Sequence, residues 1–302
     1  MFSMKYTLDN KILKIEISSL FSETIQSFFD EFIPSKKIQH LLIQNKWIKM
    51  DGNPVKREDY IVGLYLEINL YPEEYNYVPC KHKLDVVYED EIILVVNKPK
   101  GVLVHSDGND NDTLTKWVEG YYSDKNYISA LPLHRLDKET SGLVMFSKSI
   151  IFQPLLDKLL SEKQIRRSYL AFVKGRVEKD KTININKPIG KDRHDSSKRV
   201  IYKDGQVAFT KVRSLGYSKK NDISVLRCTL ETGRTHQIRV HLASEKLPIL
   251  NDSLYGVESN LCIRMGLFAD ELDFYHPLKQ EMVNIDCELP NDLSKLYFEV
   301  LK

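Results

Sequence analysis

A segment rich in tyrosine, glutamate and proline divides this chain of 302 residues into a short and a long part. It reads YPEEYNYVPCKHK over residues 71–83, and its composition is typical of a linker. Helical and strand-like patterns lie on both sides of it. We therefore predict a small domain at residues 1–72, a linker at 73–84 and a large domain at 85–302, which is long enough to bury a substantial core.

The short part shows the pattern of two helices followed by strands. Residues 22–33 place one isoleucine and three phenylalanines on a single helical face, and Pro34-Ser35 begin a second helix. A hairpin is expected around Asp51-Gly52, and an apolar strand closes the unit. This order predicts a small ααβ domain.

Basic side chains concentrate in the same unit. Between Pro34 and Arg57 there are six lysines and arginines against one acid. Lys36 and Lys37 fall in the first turn of the second helix, where the helix dipole disfavours cations unless an anion binds there. The apolar first helix, the PSKKIQHLLIQN segment and the DGNPV turn make the unit similar to the alpha-L RNA-binding domain, and this resemblance implies that Lys36 and Lys37 bind RNA.

The long part mixes strand-like and helical segments. LDVVYEDEIILVVNKPKG, residues 84–101, predicts two strands joined by an acidic turn, and Pro99 ends the second because proline cannot donate to the sheet. Residues 150–163 have a helical apolar period, and residues 225–245 pass from a strand through a turn at Gly233 into a helix. We predict an α+β fold with a mixed or antiparallel sheet.

Composition excludes several classes of protein. The N-terminus lacks an uninterrupted apolar core of signal-peptide length, and the longest apolar runs are the size of strands, so we expect a cytoplasmic protein without membrane spans. The cysteines are scattered without a C-x-x-C pair, which predicts neither a disulfide framework nor a zinc site; they are Cys80, Cys228, Cys262 and Cys287.

Charge is distributed unevenly although the net charge is only +2. Residues 163–220 contain 17 lysines and arginines against 5 acids, whereas residues 245–302 contain 5 basic and 11 acidic residues. A basic block of this kind can bind the phosphates of a nucleic acid, although it can also be a solvated lysine-rich face.

One carboxylate stands out in the segment LPLHRLDKETSGLVMFSK, residues 131–148. Asp137 lies between Arg135 and Lys138, and no histidine or second acid is spaced to act with it. A carboxylate beside a turn is most often a cap or part of a loop salt bridge. From these residues, a structural role and a catalytic role for Asp137 both stay open.

Basic residues crowd a second segment, TGRTHQIRVHLA, residues 232–243. Arg239 lies one helical turn beyond His236. The histidines lack the H-E-x-x-H spacing of zinc proteases, so no metal site is predicted. The chain also lacks the G-x-S-x-G, P-loop and dinucleotide-binding patterns, which argues against hydrolase, nucleotide triphosphate and NAD chemistry.

These two segments occur with NKPKGVLVH, RRSYLAFVKG, KPIGKD, LYG and FYHPL in the order and spacing of RluA-type RNA pseudouridine synthases. The chain resembles that family from Leu84 to Leu289. The resemblance implies a pseudouridine synthase fold, in which a mixed, mainly antiparallel sheet is flanked by helices. It also implies an isomerase that converts uridine in RNA to pseudouridine without cofactor or metal.

The resemblance implies roles for three residues in the reaction. Asp137 would attack the sugar or the base, or act at the 2′ position of the ribose, and these routes stay open. Arg239 would be the cation that keeps Asp137 ionised. Tyr169 would lie against the base and help to remove the proton from carbon 5.

Other residues would handle the RNA. Arg135 would fill the stack that the flipped-out uridine leaves, or form a structural salt bridge. His134 and Lys98 would line the site or bind phosphate, or hold a loop. Arg234 and His236 would contribute further RNA contacts.

The expected partner is structured RNA, with ribosomal large-subunit RNA and tRNA both open, and the expected state is a monomer. A non-catalytic RNA-binding or ribosome-assembly protein is the alternative, although such a protein would be expected to lose one of the three catalytic residues. A glycosidase would need a paired acid, and Glu139 is too close in sequence to Asp137 to be trusted in that role.

Overall fold

A computed structural model describes residues 4–108 and 112–302 of the chain. The N-terminal unit packs two short helices against a five-stranded antiparallel sheet with the order β1-β2-β5-β3-β4. Its elements in chain order are β1 (Tyr6–Asp9), β2 (Ile12–Glu16), α1 (Ile25–Phe32), α2 (Lys36–Gln44), β3 (Ile48–Met50), β4 (Asn53–Pro54) and β5 (Tyr65–Asn69).

The β1–β2 hairpin was not predicted. Asn10 turns the chain between its strands with a φ of 53°, a left-handed conformation that asparagine adopts more readily than most residues. The predicted hairpin at Asp51-Gly52 is present, and both residues have positive φ. The two predicted helices are present as well, and side chains of Thr24 and Ser35 cap them as N-cap hydroxyls do.

The segment between the two units is extended and packed. No helix or strand is assigned between β5 and the next strand at residue 86. Nevertheless, the backbone N–H of Tyr75 donates to the carbonyl of Asn126 at 2.7 Å, and the ring of His82 stacks on Trp117 with centroids 4.2 Å apart. At its start, Tyr71 donates to the carbonyl of Glu91 at 2.5 Å. The predicted linker therefore contacts the large unit at Tyr75 and at His82.

The large unit is built on one extended sheet with four helices. Its elements are β6 (Val86–Glu89), β7 (Ile93–Lys98), α3 (Leu114–Tyr121), β8 (Leu131–Pro132), β9 (Ser141–Ser147), α4 (Gln153–Ser161), β10 (Ile165–Lys174), β11 (Thr182–Asn186), β12 (Ile189–Lys191), β13 (Arg199–Ile201), β14 (Phe209–Ser218), β15 (Ile223–Leu230), α5 (Gln237–Ser244), β16 (Leu267–His276), β17 (Glu281–Asp286) and α6 (Asn291–Leu301).

The sheet of the large unit is mixed and mainly antiparallel, which confirms the expected α+β class. Its strands follow the order β11-β14-β15-β10-β16-β9-β7-β6, with β17 beside β16 and β8 beside β9. Of the pairs between these strands, β9 and β16 run parallel, and the others run antiparallel. The central strand β10 is almost wholly buried. β12 and β13 form a separate small hairpin.

A glycine permits the parallel contact between β9 and β16. Gly142 has a φ of 116°, and a Cβ built on it would lie 2.1 Å from the carbonyl oxygen of Ala269 on β16. No other residue fits there without displacing backbone. The Thr-Ser-Gly turn therefore starts β9 directly against β16, which fixes the position of the loop that precedes it.

Helices cover both the edges and the faces of this sheet. Leu293, Leu296 and Val300 of α6 pack in one apolar cluster with β10, β15 and β16. None of the helices in the described residues is long and apolar enough to cross a membrane.

Candidate active site

A cavity of about 540 Å³ opens beside the central strand β10. Its walls come from residues 133–140, from residues 157–169 and from residues 230–239. Asp137 lies in the first of these segments, between β8 and β9, and its side chain keeps 18% of its surface exposed. The carbonyl of Asp137 accepts the N–H of Thr140 at 3.1 Å, which closes the turn and directs the carboxylate into the cavity.

Arg239 joins Asp137 to a second carboxylate. Its Nη1 donates to Oδ2 of Asp137 at 3.1 Å. On its other edge, Nε and Nη2 donate to the two carboxylate oxygens of Asp252, each at 2.7 Å. A guanidinium matched to a carboxylate in this two-point geometry has a fixed orientation. The arrangement makes Arg239 the cationic partner of Asp137.

Asp252 is held as an anion by this contact. Burial by itself would raise the pKa of its carboxyl group, but the hydrogen bonds and charge of Arg239 and two backbone N–H groups lower the pKa overall. The preceding residue, Asn251, has a φ of 55°, a conformation that glycine adopts most easily. The bend at Asn251 directs Asp252 toward α5.

Tyr255 fixes His236 at the first turn of α5. The Nδ1 of His236 lies 2.9 Å from the Tyr255 hydroxyl, which also accepts the backbone N–H of Arg199 at 2.6 Å. The other ring nitrogen of His236 is Nε2, which does not contact this hydroxyl. That nitrogen lies 3.9 Å from Oδ2 of Asp137. Burial lowers the pKa of His236, which favours the neutral ring.

Tyr169 is buried on β10 and lines the same cavity as Asp137. Burial raises the pKa of its hydroxyl, so the phenol is neutral at ordinary pH. Arg167, two residues earlier on the strand, projects from the same face and also lines the cavity. Strand β10 therefore supplies both residues to the wall beside Asp137.

Lys98 lies outside the cavity and holds the loop behind it. Its side chain is fully buried, and its ammonium donates to the carbonyls of Pro99, Val102 and Lys138 at 2.9, 2.7 and 3.1 Å. Burial lowers the pKa of Lys98 to about 7, and nearby carboxylates act in the opposite direction. This placement favours the loop-holding alternative over contact with phosphate.

The remaining predicted residues of the large unit line the cavity. Arg135 is exposed at its wall, and His134 accepts the N–H of Met145 through Nε2 at 3.2 Å. Arg234 lies at its rim, donates to the carbonyl of Val207 at 3.0 Å, and also lines an adjoining recess beside the β12–β13 hairpin.

Lys36 and Lys37 lie in the other unit, away from this cavity. Both are in the first turn of α2 and both are exposed, as the sequence predicts. Lys36 forms one exposed ion pair with Asp30 at 3.6 Å, a contact that contributes little to stability.

Three residues of the site were missed. Tyr255 falls in the LYG segment, which helps to carry the resemblance, and Asp252 lies just before that segment; neither residue has a predicted role. Arg167 could have been found from its spacing, because residues two apart on a strand share a face and Tyr169 was already a candidate. In the described residues, no group of three or more histidines, cysteines or acids is placed to hold a metal ion.

The site can place one carboxylate against a substrate in a partly closed cavity. Asp137 accepts a hydrogen bond from the guanidinium of Arg239. Arginines 135, 167 and 234 make the walls suited to an anionic substrate. Together with the α+β fold, these features define an enzyme that acts on a nucleic acid, and they agree with the resemblance described above.

Comparison with known proteins identifies the family. The family model described as RNA pseudouridylate synthase matches residues 92–244, and the chain belongs to this family of RNA-modifying isomerases. Bacillus subtilis "Uncharacterized RNA pseudouridine synthase YhcT" is 35% identical over 86% of this chain and 83% of the relative. "Ribosomal large subunit pseudouridine synthase D" of Buchnera aphidicola is 32% identical over 97% of this chain and 96% of the relative.

Solved structures agree on the fold. "Human RNA Pseudouridylate Synthase Domain Containing 1" superposes with a TM-score of 0.57 at 24% identity, and covers 69% of this chain and 84% of its own. At that level of identity the comparison supports the fold of the large unit.

Proposed function

We propose that this RNA pseudouridine synthase converts specific uridines of ribosomal large-subunit RNA to pseudouridine, with Asp137 as its catalytic residue. Support for the substrate comes from relatives of nearly full length. The protein named ribosomal large subunit pseudouridine synthase D in Xanthomonas campestris is 32% identical over 91% of this chain and 87% of its own. A uridine in tRNA is the competing substrate.

The observation that carries the proposal is the environment of Asp137. Its Oδ2 faces Arg239 and His236, while the carboxylate is still partly exposed to the cavity. The reaction breaks the bond from uracil nitrogen to ribose, turns the base and rejoins it through carbon 5, with no change of oxidation state. Asp137 starts this sequence by attack on the sugar or the base, or by acting at the 2′ position.

Tyr169 and Arg135 take the remaining roles. Tyr169, buried beside Asp137, lies against the uracil and helps to remove the proton from carbon 5. Arg135 is exposed at the cavity wall, so its side chain can enter the space that the target uridine leaves when it flips out of the RNA stack. Flipping costs about a few kcal/mol, which such a side chain partly offsets.

The N-terminal unit binds the same RNA outside the cavity. Lys36 and Lys37 are exposed where the backbone N–H groups of α2 also attract phosphate. The enzyme works in the cytoplasm as a monomer. It needs no cofactor, because the isomerisation involves no change of oxidation state and no input of energy.

Asp137→Asn tests the assignment. Asparagine preserves the volume and one acceptor for Arg239 but removes the charge, so the fold and RNA affinity should survive while turnover falls at least about 100-fold, the lower end of acid–base effects. Pseudouridine mapping of total RNA from cells that carry no gene, the parent gene or the variant gene would identify the uridine. Conversion by the purified variant at more than a tenth of the parent rate would make Asp137 a structural residue.

A further inference from the structure

Arg167 is a buried cation without an anionic partner. Its exposed fraction is 9%, and it lines the cavity that contains Asp137. Its Nε is buried and has no hydrogen-bond acceptor. Within residues 4–108 and 112–302, no carboxylate forms an ion pair with it. Burial of an unpaired charge is strongly unfavourable, so such a group calls for an explanation.

Three other arginines on or beside the central strands have carboxylate partners. Arg239 is paired with Asp252, and Arg227 forms ion pairs with Asp270 at 3.0 Å and with a neighbouring glutamate. Arg166, the residue before Arg167, lies on the opposite face of β10 and is paired with Asp273. The chain therefore supplies acids to these guanidinium groups but, among the described residues, none to Arg167.

The neighbours of Arg167 are donors rather than acceptors. His134 accepts the N–H of Met145 through Nε2, so its proton lies on Nδ1, which is also buried and has no acceptor. Burial and the charge of Arg167 lower the pKa of His134 to about 3, which keeps the ring neutral. Gly233 lies on the other side, where an added Cβ would be 3.1 Å from Nη1 of Arg167. The acids that line the cavity are Asp137, Asp157 and Glu231, and among the described residues none of them forms an ion pair with Arg167.

We propose that Arg167 binds a backbone phosphate of the target nucleotide in the RNA substrate, and this proposal rests on the proposed function. A guanidinium fork matches two oxygens of a phosphodiester, which accepts hydrogen bonds and donates none. Arg167 and Tyr169 are two residues apart on one strand face, about 7 Å along the strand. A nucleotide with its base against Tyr169 therefore has a phosphate within reach of Arg167.

Arg167 should therefore affect the stability of the free protein and its affinity for RNA in opposite directions. In the free enzyme the unpaired charge is unfavourable, and the RNA phosphate supplies the missing partner. Removal of the charge should therefore leave the free protein at least as stable as the parent while it weakens RNA binding. If the arginine instead formed a structural ion pair, its removal would lower the stability of the free protein and leave RNA binding unchanged.

The experiment compares Arg167→Met with Arg166→Met, a matched change one residue away on the opposite face. RNA binding is measured in the Asp137→Asn background with an in vitro transcript of large-subunit RNA over a range of salt concentrations. Arg167→Met should reduce the slope of log affinity against log salt by about 1 and weaken binding about tenfold. Its melting temperature should not fall. Arg166→Met should keep the slope and lower the melting temperature, because Asp273 loses its partner.

A third variant and the kinetics complete the test. Arg167→Lys keeps the positive charge and should restore the slope of log affinity against log salt. It should restore only part of the affinity, because lysine cannot donate two parallel hydrogen bonds to a phosphate as a guanidinium does. In the active enzyme, Arg167→Met should raise KM about tenfold with kcat changed less than about threefold. An unchanged slope, a melting temperature lowered as in Arg166→Met, or a loss confined to kcat would overturn the phosphate role. Failure of the parent enzyme to form pseudouridine would instead refute the proposed function, since the salt slope is measured without turnover.

Discussion

Asp252 accepts two hydrogen bonds from Arg239, each 2.7 Å long, and its side chain is completely buried by this contact. The orientation of the guanidinium is therefore set by a residue that does not reach the cavity. Its Nη1 is not used by Asp252 and donates to Asp137. The Asp137 carboxylate, which we propose to be catalytic, is thus paired with a cation that is already in place in the free protein, and such preorganisation is what enzymes use to stabilise charge.

Asp252→Asn should impair both the fold and the reaction. Loss of the negative charge leaves Arg239 with Asp137 as its one carboxylate partner among the described residues. Because a buried ion pair is lost, the free energy of unfolding should fall by about 3 kcal/mol. Turnover should fall about 100-fold, because a guanidinium that shifts by about 1 Å misplaces Asp137. Urea unfolding and single-turnover kinetics on the same RNA measure the two effects. A stable variant with the parent rate would show that Asp137 needs no orientation by Asp252.

The parent protein and Asp252→Asn should also differ in how their stability depends on pH in the acid range. The pKa of Asp252 is lower in the folded protein than the value of about 3.9 expected when it is unfolded. Its contribution to stability is therefore complete above that value and is lost as the pH falls through the folded pKa. The parent protein should lose stability more steeply than Asp252→Asn below about pH 4. Parallel curves of unfolding free energy against pH would contradict this.

Tyr255→Phe tests the link between His236 and the backbone. The ring would still lie over the guanidinium of Arg239, 5.1 Å from it, but the hydroxyl that joins Arg199 to His236 would be lost. We expect about 1 kcal/mol less stability and a kcat about tenfold lower with an unchanged KM. Tyr217→Phe, which removes a 3.0 Å hydrogen bond to Asp222 far from the cavity, is the control and should keep the parent kcat.

Tyr169→Phe separates the ring of this residue from its hydroxyl. The ring that we propose to pack against the base stays, so RNA affinity should be within about twofold of the parent. If the hydroxyl helps to move the proton at carbon 5, turnover should fall about 100-fold. The measurement is single-turnover conversion at saturating RNA. A variant that turns over at the parent rate would restrict Tyr169 to packing.

Lys36→Gln combined with Lys37→Gln tests the N-terminal unit. The loss of two phosphate contacts should lower the slope of log affinity against log salt by about 2 and leave kcat at saturating RNA unchanged. The control is Lys295→Gln with Lys302→Gln, which removes the same charge from an exposed acidic region. Equal slopes for the two double variants would mean that α2 does not contact the RNA.

Point variants suit this test better than deletion of the unit. The junction is packed, since Ser149 of the large unit donates to the carbonyl of Leu70 at 2.6 Å and Tyr71 donates to Glu91. Both Leu70 and Tyr71 belong to the apolar core that continues into the large unit. A truncation at residue 72 would expose that surface and confuse a loss of folding with a loss of RNA contacts.

The sequence by itself determined the local features and the main candidates. The amphipathic period of α1, the caps at Thr24 and Ser35, and the Asp51-Gly52 turn depend on residues a few positions apart, and such signals are legible in a single sequence. The motif containing Asp137 and the helix containing Arg239 are likewise continuous segments of the chain, so their residues and spacing alone were enough to make both side chains candidates.

Only the tertiary structure decided which groups meet. Arg239 is 102 residues from Asp137, and the parallel contact of β9 with β16 joins segments still farther apart. No local period encodes such contacts, because they depend on the packing of the whole sheet. For the same reason the sequence could not reveal that Lys98 lies buried among carbonyls, that Asp252 holds Arg239, or that the buried Nε of Arg167 has no hydrogen-bond partner in the described part of the chain. Whether a charge is paired is decided by what the fold brings within a few ångströms of it.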